Sequence, residues 1–205
     1  MSEAAVLLWD FGDTLADERW AWSAPAGVRG WSAAYRRVGD SELGERWNLG
    51  DASTRDVAQH LATELGLEAG DIHQHLERTC ASIAFFPTSW RVACRHALPQ
   101  ALVTVNPLVF RQVIVPTYEL DQVFDVIVVS AEEHTTDKVR LCELALERLG
   151  KRASRHSSLL IDNISDNVER WRASGGLGYQ FLDDATFAQD LTSGRLPIAF
   201  AIVRE

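Results

Sequence analysis

The chain has 205 residues, enough for one sizeable domain or for a core with a smaller insertion. It is 46% hydrophobic and 24% charged, the composition of a globular protein. A formal net charge of −9, with no run of Lys or Arg longer than two, argues against nucleic acid or an anionic membrane as partner, while a small anionic substrate stays compatible with a locally positive site.

The chain opens on an acidic rather than basic segment, and the apolar run from Ala4 to Trp9 is too short for a signal peptide or a membrane span. That combination predicts a cytoplasmic protein. The first strand is Val6–Trp9, ending in Asp10 and a tight turn. From about residue 17 to residue 86 the pattern is helical, clearest over 53–65 with Ser53 or Thr54 as cap, and without a convincing strand. Five of the seven tryptophans lie between Trp20 and Trp90; they read as the small core of this insertion, or, for Trp20, Trp22 or Trp90, as the wall of a pocket. His73 and His75 stand two apart on a predicted helix, so they diverge and make a poor metal pair.

Later strands are predicted over 101–104, 126–129, 159–161 and 179–182. Each is apolar at consecutive positions, as expected of strands covered on both faces. Between them, 136–149 carries a broad apolar stripe and stops at Gly150, and 167–173 is a shorter helix closed by Gly175-Gly176. Strands alternating with helices predict an α/β fold, a Rossmann-like doubly wound parallel sheet, built from residues 1–16 and 87–205. Residues 17–86 then form a small helical cap over the carboxyl edge of the sheet, where open α/β sheets bind ligands. Cys80, Cys94 and Cys142 are odd in number and lack CxxC spacing, which predicts reduced, buried thiols. The acid pairs Glu132-Glu133 and Asp183-Asp184 read as solvated loop or helix-start positions.

A parallel sheet places its strand ends together, so Asp10, Thr104, Lys138 and Asp162 converge in this reading. The set suits phosphoryl transfer. Asp10 attacks phosphorus and forms an aspartyl-phosphate. Mg2+, a hard cation, is held by Asp10, Asp162 and a backbone carbonyl. Thr104 and Lys138 hold phosphate oxygens, and Lys138 offsets repulsion between carboxylates and substrate. Taken singly, each residue also has an ordinary explanation: strand-end acids cap turns, Thr104 ends a strand, Asn106 precedes Pro107 in a turn, and Lys138 starts a helix.

Four segments, in order, resemble the motifs of the haloacid dehalogenase superfamily. They are Leu8-Trp9-Asp10-Phe11-Gly12-Asp13-Thr14-Leu15, the 101–106 strand with Thr104, Asp137-Lys138, and Asp162-Asn163-Ile164-Ser165-Asp166-Asn167. The resemblance implies a Mg2+-dependent phosphatase of a small phosphorylated metabolite. Its nucleophile is Asp10, its substrate contacts are Thr104, Asn106 and Lys138, and its metal positions are Asp10, the Gly12 carbonyl, Asp162 and Asp166. Composition and charge predict no nucleic-acid or membrane partner, and no motif chooses between a monomer and a homodimer. Phosphatases of that family read Asp-x-Asp-x-Thr, the second Asp protonating the leaving alkoxide and then activating water. Here that position is Gly12, and Asp13, one place later, is the candidate replacement if the turn re-aims it. Loss of such a group costs about 10²–10⁴ in rate. Two other readings follow from the same residues: a catalytically silent binding protein, motivated by Gly12 and Asn163, and metal-free carbon–halogen cleavage by Asp10 in an aromatic or apolar halide cradle.

Overall fold

In the computed structural model, which describes residues 4–18, 22–150 and 153–196, β1 (Val6–Trp9) is the middle strand of a five-stranded sheet. After it come α1 (Trp31–Gly39), α2 (Glu42–Asn48), α3 (Thr54–Leu65) and α4 (Ala69–Cys80), then α5 (Pro87–Arg95) and β2 (Gln100–Thr104). A π-helical turn over Phe110–Ile114 runs into α6 (Val115–Thr117), followed by β3 (Val126–Val129), α7 (Ser130–Glu133) and α8 (Lys138–Leu149). The chain continues through β4 (Ser158–Asp162), α9 (Ser165–Ala173), β5 (Leu177–Gln180) and α10 (Asp184–Thr192).

The strand order is β3-β2-β1-β4-β5 and every pairing is parallel, the Rossmann-like α/β arrangement. Side chains alternate between two apolar layers. Leu7, Trp9, Leu102 and Ile161 face one layer with Phe110 and Phe187; Val6, Leu8, Val103 and Leu160 face the other with Leu141, Ala145 and Trp171. Because both faces are covered, the strands need apolar residues at every position, which is why they read as continuous runs. Each fully buried Leu or Val contributes roughly 1.5–3 kcal/mol.

The helical insertion hangs on a short two-strand neck: the Asp17 N–H donates to the Ala84 carbonyl at 2.9 Å and the Phe86 N–H to the Leu15 carbonyl at 2.9 Å. α3 starts on a reciprocal cap between Ser53 and Asp56 and stops at Gly66, whose φ of 67° suits a residue without Cβ. Trp31 and Trp47 are buried in its core, whereas Trp22 is exposed and Trp90 stacks on Phe85 at 4.1 Å. Trp20 lies outside the described residues. His73 and His75 diverge on α4, the first near Glu77 and the second bonded to the Ser23 carbonyl.

Several details differ from the sequence reading. β5 begins two residues earlier than expected, because pairing with β4 matches Leu177 to Leu159 and Gln180 to Asp162, leaving Leu182 exposed. α8 starts at Lys138 with Asp137 as its cap, the carboxylate accepting from the Val139 N–H at 3.0 Å. α5 and α10, unread in the sequence, pack together: Asp184 accepts the Thr88 and Ser89 N–H groups at 2.9–3.0 Å. Glu132 and Glu133 are engaged by Arg111 and Arg148 at 2.8 Å rather than free in solvent. Cys80 and Cys142 are buried, but Cys94 is exposed. Among the described residues no helix is long and apolar enough to cross a membrane.

Candidate active site

The register of the sheet assembles the site. Trp9 lies opposite Ile161 on β4 and Leu102 on β2, so the next residues, Asp10 and Asp162, are neighbours, with Thr104 on the other side. The chain runs outward from β1 to β2 and β3, then returns to the opposite flank at β4. Asp10 and Asp162 therefore flank the point where the winding reverses, the position at which such sheets open a crevice.

Lys138 enters from the first turn of α8 and fills the gap. Its Nζ donates to Asp10 Oδ1 at 2.5 Å and to the Val103 carbonyl at 2.8 Å, and it lies 3.1 Å from Asp162 Oδ2. All three side chains are buried. Burial opposes the ammonium charge, but Asp10 and Asp162 more than offset it and hold the Lys138 pKa above its ordinary value. Asp10 is pushed up to about 6, chiefly by burial and further by Asp162, against the pull of Lys138. Above that pH it is a carboxylate, the form a nucleophile needs.

Asp162 is held by four contacts. Its Oδ1 accepts from the Ile164 N–H at 2.8 Å and the Asn167 amide at 3.2 Å, its Oδ2 from the same amide at 3.1 Å besides Lys138. Asn167 was absent from the sequence reading of the site, although its position five residues after Asp162 at a helix start was a usable signal. Thr14 was likewise only quoted within its motif. Its hydroxyl lies 3.4 Å from Asp10 Oδ2 and accepts from the Asn163 N–H at 3.1 Å, tying the two strand ends together.

Beyond β2, the Asn106 amide donates to Thr104 Oγ1 at 2.7 Å, which leaves the Thr104 hydroxyl proton available to an acceptor in the crevice. Asn106 itself is fixed through its N–H to Ser130 Oγ at 2.9 Å, and that hydroxyl reaches the Asn48 carbonyl of α2 at 2.7 Å. One serine thus links the site loop to the helical insertion. Between the two lies a cavity of about 230 Å³ whose wall includes Trp22, Tyr35, Trp47, Asn106 and Pro107.

Glu18 lines the same cavity, and the sequence reading missed it. A Cβ built on Gly12 would fall 1.7 Å from Glu18 Oε1 and 2.2 Å from Cδ. The carboxyl of Glu18 therefore occupies the space that a side chain at position 12 would fill. Burial, then the charges of Asp10 and Asp13, push its pKa up to about 7, with Lys138 acting the other way. Five residues of intervening chain hide this replacement from any motif.

Asp13 is not brought to the Asp10–Lys138 pair. It is exposed, adopts a left-handed φ of 48°, and accepts the Glu18 N–H on its Oδ1 at 3.1 Å. Asp166 is exposed on the first turn of α9. Among the described residues no three His, Cys, Asp or Glu side chains gather where they would hold a metal, so Asp166 does not join Asp10 and Asp162. What does fit a hard divalent cation is the donor chemistry and the charge. Asp10 and Asp162 set two buried carboxylates on one ammonium, and oxygen is the only donor type they offer.

A five-stranded parallel sheet, an acid at the end of its middle strand, a lysine bridging that acid to the next strand and a helical insertion beside the carboxyl edge define the haloacid dehalogenase-like fold. Solved structures agree. The L-2-haloacid dehalogenase of Xanthobacter autotrophicus with chloropropionic acid covalently bound superimposes with a TM-score of 0.66 at 16% identity, over 93% of this chain and 83% of that one. A HAD family enzyme of Bacteroides thetaiotaomicron, in complex with magnesium and inorganic phosphate, gives 0.62 at 12% identity, over 86% and 93%. A predicted HAD-like family hydrolase of Porphyromonas gingivalis gives 0.63 at 14% identity, over 95% and 98%. At these identities the likeness is one of fold. No family model matches the sequence, and no curated protein matches it.

Proposed function

We propose that the protein is a hydrolase that removes phosphate from a small phosphomonoester through Asp10. The observation that carries this reading is the Lys138 ammonium shared between Asp10 at 2.5 Å and Asp162 at 3.1 Å, with the Thr104 hydroxyl, at the end of the neighbouring strand, accepting from the Asn106 amide. Lys138 keeps Asp10 ionised and aligned for attack on phosphorus, and Lys138 with Thr104 offers donors to the phosphoryl oxygens. Asp10 and Asp162 would hold Mg2+, which would supply positive charge against the carboxylates and an incoming phosphate. A structural neighbour that holds magnesium and inorganic phosphate supports the assignment. The cavity beside Asn106, with aromatic side chains in its wall, suits a compact, largely apolar leaving group.

The test is a panel of aryl, alkyl and acyl phosphates with and without Mg2+, comparing wild type with Asp10→Asn. Mg2+-dependent turnover lost in Asp10→Asn, together with beryllium fluoride binding to wild type alone, is the expected result. Absence of both sinks the reading. The aromatic wall also favours a second one, carbon–halogen cleavage by Asp10, as in the neighbour carrying covalently bound chloropropionic acid. Metal-independent chloride release from 2-chloropropionate distinguishes it.

A further inference from the structure

We infer that Glu18 is the acid–base residue of this site, its carboxyl reaching into the space left by the absent side chain of Gly12 and facing the cavity beside Asn106. The inference rests on the phosphoester reading above. Ester cleavage needs a proton for the departing oxygen and later a base for water, and the other nearby carboxyl groups are committed. Asp10 is the nucleophile and is bound by Lys138. Both oxygens of Asp162 are occupied by Lys138, the Ile164 N–H and Asn167. Asp13 is exposed and spends one oxygen on the Glu18 N–H. Of the four, Glu18 is the one that lines the cavity. Asp13 is then a positioning residue: its carboxylate fixes the backbone from which Glu18 reaches back over Gly12.

The step balances with these groups. An Asp10 oxygen bonds to phosphorus as the ester P–O bond breaks, and the departing oxygen takes the Glu18 proton and leaves as the alcohol. Water then attacks phosphorus and gives its proton to the Glu18 carboxylate. The Asp10–phosphorus linkage breaks, releasing inorganic phosphate and restoring both carboxyl groups.

The experiment compares wild type, Glu18→Gln and Glu18→Ala on two phosphates of similar size, 4-nitrophenyl phosphate and 2-phenylethyl phosphate, with Mg2+. The first has a leaving group that needs little protonation; the second releases an alkoxide. Both variants should lose about 10²–10⁴ in kcat/KM on the alkyl ester. The loss on the aryl ester should be at least about tenfold smaller, with a burst of nitrophenol as the phosphorylated protein accumulates for want of a base. Melting temperatures near that of wild type show that the variants fold. Equal losses on the two esters, or no loss on either, overturn the role of Glu18 while leaving the phosphatase reading intact. Wild type inert on both esters overturns the phosphatase reading and this inference with it.

Discussion

Replacing Glu18 by Gln should stabilise the protein against unfolding at alkaline pH and not at acid pH. Partial burial and the charges of Asp10 and Asp13 raise the pKa of the carboxyl from 4.5 to about 7 on folding. Below pH 4.5 the group is protonated in folded and unfolded chains alike and contributes nothing to the pH dependence. Between 4.5 and about 7 the unfolded chain ionises first, so unfolding releases a proton and wild-type stability falls as pH rises. At about 1.4 kcal/mol per pH unit, the full penalty above pH 7 is about 3 kcal/mol. Gln keeps the shape and carries no charge, so its own burial cost is independent of pH. Urea unfolding of both proteins in EDTA at pH 4.5, 6 and 8 measures the difference directly. The variant should gain progressively on wild type across that range. A difference that stays flat from pH 4.5 to 8 would refute the placement of the carboxyl over Gly12.

Three further outcomes follow from the same geometry. Lys138→Met leaves the two buried carboxylates unpaired and should cost about 3–5 kcal/mol in urea at pH 8, with loss of turnover. Gly12→Ala pushes a methyl group into the Glu18 carboxyl and should cost about 1–3 kcal/mol; in Gly12→Ala/Glu18→Ala most of that penalty should vanish, a coupling that a double-mutant cycle reads directly. Asp184→Ala removes the acceptor for the first N–H groups of α5 and should cost about 1–2 kcal/mol, lowering the melting temperature by about 2–8 °C in a calorimetric scan.

Much of the fold was legible because its strands are doubly buried. A strand covered on both faces requires apolar residues at every position, so Val6–Trp9 and Val126–Val129 announce themselves with their ends in place. Asp10, Thr104, Lys138 and Asp162 follow from those ends, since parallel strands share one carboxyl edge. β5 was displaced by two residues because its strand carries glycine and is only half buried, so pairing with β4, a tertiary relation, sets its bounds. α5 and α10 are short, and what anchors them is a contact nearly a hundred residues away in sequence, between Asp184 and Ser89.

The sequence by itself determined the central strand, its terminal acid and the order of the segments that surround it, because local burial and helix periodicity are written residue by residue. The tertiary structure alone decided what stands where Gly12 has no side chain. Asp13 follows Gly12 directly, yet the left-handed turn leaves it exposed and bonded to the Glu18 backbone. Glu18, six residues on, is the group that folds back over Gly12, because the neck of the insertion reverses the chain there and the missing Cβ leaves room for its carboxyl. Spacing in the chain favoured the wrong acid, since proximity along the backbone does not say which way a turn aims a side chain.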